Sequence, residues 1–162
     1  MRNFFIYIFI FFSFLFSQED IGIGLVEDSL INYLQDNYTT SNTESYTNAR
    51  NILYGIIDNN NGYVSCIYTN YSGQIEGNNN FISQLYGQGI NCEHLWPQSM
   101  YEGTQPMKSD IHHLRPCKSN VNSSRGNKPF NEINDNLTNT WYWLNNQSSN
   151  IPSNNIHEYS QS

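Results

Sequence analysis

The sequence predicts a single α+β domain, and three observations predict it. Residues 29–35 and 45–58 carry apolar side chains at three- and four-residue spacing, the mark of a helix with one buried face. Residues 63–68, 90–95 and 111–115 read as short strands, the last two stopped by Pro97 and Pro116, which cannot donate to a sheet ladder. The length of 162 residues suffices for one domain with a substantial core and not comfortably for two.

The elements follow in chain order. Met1-Arg2-Asn3 is a short basic start, Phe4 to Phe16 is almost unbroken apolar sequence, and Ser17 offers a small residue before Gln18-Glu19-Asp20. That is the layout of a secretory signal peptide over residues 1–17. The apolar run is too short for the roughly 20 residues of a spanning helix, so export with cleavage is expected, to a secreted or periplasmic location. Residues 18–162 are then the domain. In the first helix Leu30, Ile31 and Leu34 share a face; in the second, Tyr46, Ala49, Leu53, Ile56 and Ile57 do, and Asn59 to Gly62 ends it. Both alternating sets of residues 63–68 are fairly apolar, which predicts a strand buried on both sides. A polar connection covers residues 69–80, and residues 81–86 have no clear preference. After the strand at 90–95 come a loop with Gly103 and Pro106, the strand at 111–115, and a short helix over 117–125, entered at Pro116 and left at Gly126. Strand, loop, strand and helix thus fit in about 36 residues. The tail beyond Phe130 is polar and Asn-rich with one aromatic knot, Trp141-Tyr142-Trp143-Leu144, and no packing unit is evident after Asn145.

Charge is distributed unevenly. Losing Arg2 with the leader takes the formal net charge from −7 to −8, which argues against non-specific nucleic-acid binding. Yet Lys108, Arg115, Lys118, Arg125 and Lys128 fall within one stretch whose only acid is Asp110. Of the cysteines Cys66, Cys92 and Cys117, any two could pair in an oxidising compartment, and spacing does not choose between the three pairings. They match no zinc finger or ribbon.

Chemistry-bearing residues gather in the strand–loop–strand–helix unit: Glu93-His94 on its first strand, Asp110 and His112-His113 at its second, and Asn120, Asn122 and Asn127 on or after its helix. Each alone is weak, since a strand histidine is more often structural and a helix asparagine more often solvated. Together beside cations they fit phosphodiester hydrolysis. Cations hold the phosphates; a histidine, with an unperturbed pKa of about 6.5, takes a proton from water. A hard divalent ion with oxygen ligands stabilises the leaving oxygen. Glu93 offers the carboxylate, a helix asparagine the amide oxygen, His94 the base, and Arg115, Lys118 and Arg125 the phosphate contacts. One geometric condition applies. Neighbours on a regular strand point to opposite faces, so Glu93 and His94 share a site only where the strand twists, bulges or ends.

The stretches NCEHLWPQS and SDIHHLRPCKSNVNSSRGNKPF resemble the endonuclease I family of secreted and periplasmic nucleases, and YTNARNILYGIID and GYVSCIYTNY resemble its upstream pattern. The resemblance spans about residues 46–130. It implies a ββα-metal (His-Me finger) nuclease core over about 90–127 with flanking helices. Glu93 and Asn122 would hold the metal and His94 would be the general base. Asn127 and Arg125 would support the helix or bind phosphate, and His112 and His113 would orient the base or helix. The implied cofactor is Mg²⁺ or another divalent cation such as Ca²⁺ or Mn²⁺. The implied activity is non-specific cleavage of DNA, with RNA a further candidate substrate, to 5′-phosphate products by a monomer. Family members continue past the PF segment, so this chain is expected to be truncated at its C-terminal side. Other readings are a thiol hydrolase using Cys92 or Cys117, a non-catalytic extracellular binding module, and a zinc site of His112, His113 and Cys117.

Overall fold

The computed structural model describes residues 21–39, 42–77, 80–150 and 160–161. The leader at 1–17 lies outside the described residues, and so does His157, which falls outside the motif stretches and is expected at the surface. The chain divides into two units, residues 1–41 and 42–162. The first contains α1 (Glu27–Tyr38), longer than the 29–35 expected and without a buried residue.

The second unit is mixed helix and small antiparallel sheets, as the sequence predicts. α2 (Tyr46–Ile52) starts at Ser45, whose hydroxyl accepts from the Asn48 N–H at 3.1 Å, and continues as a π-helical turn, Leu53–Ile57. Gly55 lies in that turn. A Cβ there would sit 2.5 Å from the Phe81 ring, so the missing side chain is what lets the ring approach. The turn leads into a hairpin, β1 (Asn59–Asn60) and β2 (Tyr63–Ser65), around Asn61-Gly62, both with positive φ, the sequence preferred for a tight two-residue reversal. β2 also pairs with β3 (Ser72–Gln74) inside the expected loop. The strand expected over 63–68 is shorter and one-sided. Val64 is buried while Tyr63 and Ser65 face out, because this antiparallel sheet has one face on the core.

α3 (Phe81–Gly87) fills the stretch without a clear preference and buries Leu85. β4 (Ile90–His94) pairs antiparallel with β5 (Leu114–Lys118), in register Glu93 to Arg115 and His94 to Leu114, and α4 (Ser119–Arg125) follows β5 directly. The second strand therefore lies three residues later than expected and contains Pro116. The ring is tolerated because β5 is an edge: Pro116 turns its backbone away from β4, and its carbonyl accepts from the Ile67 N–H at 2.9 Å. Gly126 closes α4 at φ +56°, ψ −128°, a conformation costly for any residue with a Cβ. The tail does pack. β6 (Trp141–Trp143) pairs with β7 (Asn146–Ser148) and with β8 (Ser160–Gln161), and Trp141 is fully buried.

Two apolar clusters hold the unit. The larger joins Ala49, Leu53, Tyr54, Val64, Ile75, Leu85, Ile90 and Leu114 from α2, its π turn, β2, the residue after β3, α3, β4 and β5. The smaller joins Cys66, Cys117, Val121 and Tyr142, fastening α4 and β6 to the back of β5. The β4–β5–α4 unit is thus gripped on both sides. Among the described residues no helix is long and apolar enough to cross a membrane.

Candidate active site

β4 ends at His94, and that ending solves the problem of neighbouring side chains. Glu93 and His94 are consecutive yet both buried, at 2% and 6% exposure, and both line one cleft of about 310 Å³. Cys92, Pro97, Gln98 and Ser99 contribute to it from β4 and the following turn, and Asn122, Arg125, Gly126 and Asn127 from α4 and its exit.

Separate partners hold each side chain. Glu93 Oε1 accepts from the Tyr68 hydroxyl at 2.7 Å and lies 3.5 Å from Arg125 Nη1. Burial pushes the Glu93 carboxyl above its usual value, opposed by the Tyr68 hydrogen bond and the Arg125 charge. Arg125 is itself nearly buried. Its Nη1 donates to the His94 and Gly126 carbonyls and its Nη2 to the Leu95 carbonyl, so it clamps the end of β4 to the end of α4.

His94 Nε2 sits 3.1 Å from the Lys108 carbonyl oxygen, which can only accept. Nε2 therefore carries the proton, and Nδ1, 3.3 Å from the Gln98 amide nitrogen, is the basic nitrogen. Burial lowers the His94 pKa below 6.5; the Lys108 carbonyl opposes this, and His113, Lys108 and Arg50 add to it. The imidazole is neutral at pH 7 and able to accept a proton. His113 lies beside it, the ring centroids 5.6 Å apart and the planes tilted by 55°, with Nε2 2.6 Å from the Met107 carbonyl.

Asn122 enters from α4. Its Nδ2 donates to Asn91 Oδ1 at 2.8 Å and to the Cys92 carbonyl at 3.2 Å, which fixes the amide and leaves Oδ1 as its other end. These residues fit a hard cation. Glu93 has a second oxygen beyond the one used by Tyr68 and Arg125, Asn122 has an amide oxygen, and a buried carboxylate of raised pKa gains from a cation beside it.

The remaining sequence expectations divide. Asn127 and Arg125 line the cleft with the three central residues. His112 does not: its side chain is 91% exposed, and Nδ1 lies 2.7 Å from Asp110 Oδ1. Arg115 and Lys118 are also elsewhere. The Arg115 guanidinium donates to the Ile111 and Leu114 carbonyls, and Lys118 Nζ donates to the Asn145 carbonyl and lies over the Tyr71 ring. The cations contiguous in sequence disperse because strand and helix aim successive side chains in different directions. Among the described residues no three of His, Cys, Asp and Glu gather to hold an ion, so the His112, His113 and Cys117 zinc site is not assembled. A thiol nucleophile is disfavoured too: burial pushes Cys92 up to about 11, and Cys117 is buried against Cys66.

Sequence reasoning missed Tyr68, Gln98 and Asn91. Gln98 follows His94 by one turn-length and lies inside the quoted NCEHLWPQS stretch, so its position was available. Nothing local marks Tyr68, 25 residues before the carboxylate it holds.

Neither curated proteins nor solved structures give a match. The sequence profile of a family described as Endonuclease I matches residues 25–162, nearly all of the chain, and so takes in every residue of the cleft. That agrees with the resemblance carried by the Glu93-His94 and Asn122 stretches. The chain belongs to the endonuclease I family of nucleases, whose substrate is nucleic acid.

Proposed function

We propose that this chain is a divalent-metal-dependent, non-specific endonuclease of the ββα-metal type, with β4, β5 and α4 as its finger. It would be exported to a secreted or periplasmic location and act as a monomer on DNA, with RNA a further substrate. The observation that carries the reading is the shared cleft: a neutral imidazole with its basic nitrogen identified, a carboxylate and an amide oxygen, delivered by a strand end and a helix.

Glu93 and Asn122 would hold the ion, with Mg²⁺ expected and Ca²⁺ or Mn²⁺ as substitutes. When bound, it supplies positive charge against the scissile phosphate and the departing 3′ oxygen. The chain's own residues do the rest. His94 Nδ1 takes a proton from water, and the resulting hydroxide attacks phosphorus in line while the bond to the 3′ oxygen breaks; that oxygen takes a proton from a second water, leaving a 3′-hydroxyl and a 5′-phosphate. The Lys108 carbonyl keeps the imidazole in the required tautomer, and Gln98 steadies its basic nitrogen until water displaces the amide. Tyr68 and Arg125 hold Glu93, and the exposed Asn127 amide is placed to donate to a phosphate oxygen. Contacts of this kind read the backbone, not the bases, so little sequence preference is expected.

An in-gel nuclease assay tests the reading. A band of cleared DNA is expected with Mg²⁺, lost in EDTA, restored by added Mg²⁺, and untouched by a thiol-alkylating agent. Clearing that survives EDTA sinks the proposal, and loss on alkylation restores the thiol alternative.

A further inference from the structure

The strongest feature outside the cleft is a pair of buried thiols behind it. Cys66 Sγ and Cys117 Sγ are 3.8 Å apart, each at most 1% exposed, in the small core with Val121 and Tyr142. A backbone bond already ties the two segments together beside the sulfurs: the Ile67 N–H donates to the Pro116 carbonyl at 2.9 Å. Reaching a sulfur–sulfur bond of about 2.05 Å asks each sulfur to move about 1 Å, within reach of side-chain rotation. Cys92 does not compete. It packs against the larger core, beside Tyr46 and Tyr54 and with its thiol 3.9 Å from its neighbour Glu93's carbonyl.

We propose that Cys66 and Cys117 form a covalent cross-link in an oxidising compartment, leaving Cys92 as the free thiol. The oxidant is a disulfide, either a small molecule such as oxidised glutathione or the disulfide of a thiol oxidoreductase. One cysteine thiolate attacks a sulfur of that disulfide, forming a mixed disulfide and releasing one thiol. The second cysteine attacks the mixed disulfide and releases the other. The protein pair gives up two electrons and two protons, and the oxidant takes them. Because both sulfurs are buried, exchange takes place while the chain folds or when the small core opens.

The bond would close a loop between positions 51 apart in sequence, a loop that contains all of β4. One end is two residues from Tyr68, which holds Glu93; the other is two residues from the start of α4, which carries Asn122. It would fasten together the two segments that position the metal-side groups. The inference does not depend on the reaction catalysed.

The full chain is folded in a buffer of oxidised and reduced glutathione, denatured, alkylated without reductant and digested. The expected result is alkylation of Cys92 alone and a peptide linking Cys66 to Cys117 that disappears on reduction. Alkylation at all three cysteines, or a cross-link through Cys92, overturns the proposal. The Cys92→Ser variant gives a second reading free of the third thiol: adding reductant should lower its thermal midpoint by about 10 °C, and an unmoved midpoint also overturns it.

Discussion

Two carboxylate–histidine pairs lie close together in the sequence, Glu93 with His94 and Asp110 with His112, and the fold treats them oppositely. Asp110 and His112 bind each other at 2.7 Å in water. Burial pushes Asp110 up, but the His112 backbone and side-chain hydrogen bonds outweigh it and hold the carboxyl below its usual range. The two partners are turned toward each other at the surface, and His112 does not line the cleft. Glu93 and His94 do not bind each other through their side chains. Tyr68 and Arg125 take one, the Lys108 carbonyl and Gln98 take the other, and both face a shared cleft. The comparison teaches that a catalytic pair is made by third parties that keep its members apart, not by the pair's own composition.

The sharpest way to break the comparison is His94→Ala. Cleavage of plasmid DNA is expected to fall at least about 10³-fold, within the range attributed to general-base catalysis, while Mg²⁺ binding measured by calorimetry persists. Glu93→Ala should instead weaken the Mg²⁺ binding itself. A His94→Ala protein that cuts plasmid at nearly the normal rate removes the base assignment.

Arg125→Ala tests the clamp. It strips the buried Glu93 of its cation and frees the His94 and Leu95 carbonyls, so urea unfolding should show a loss of about 3 kcal/mol. A loss below 1 kcal/mol would mean that Tyr68 suffices.

A smaller effect is expected from acid. In the fold His94 titrates below 6.5, so the unfolded chain binds this proton more readily. Its contribution to stability is complete above pH 6.5 and is lost as pH falls toward the lowered value. Glu93, raised above 4.5, has the opposite slope: its ionisation costs stability as pH climbs from 4.5 through the raised value. Thermal midpoints of the EDTA-treated protein between pH 7 and pH 5 should therefore drop less in His94→Ala than in the wild type. The smallest effect is assigned to the solvent pair, where His112→Ala should change stability by less than about 1 kcal/mol and leave cleavage unaltered.

Much of this was readable from the residues. The hydrophobic spacing around Ala49 and Leu53 marked α2, and Pro97 marked the end of β4, which is the feature that brings Glu93 and His94 to one cleft. Local signals misplaced β5 because Pro116 reads as a strand breaker until the strand is known to be an edge. They missed α3 and the packing of β6 because those elements are stabilised by partners distant in sequence: α3 by the core around Leu85, and β6 by Tyr142 packed with Cys66, Cys117 and Val121 and by pairing with β8.

The sequence by itself determined the class of fold, the family and the kinds of groups available to the site, since periodicity, turn residues and motif spacing are local properties. The tertiary structure alone decided which groups meet. Tyr68, Gln98 and Arg125 were brought to Glu93 and His94, while Arg115, Lys118 and His112 were turned away. Which faces a strand and a helix present to each other depends on how both are gripped by the rest of the chain, and that grip is a sum of contacts no short segment contains.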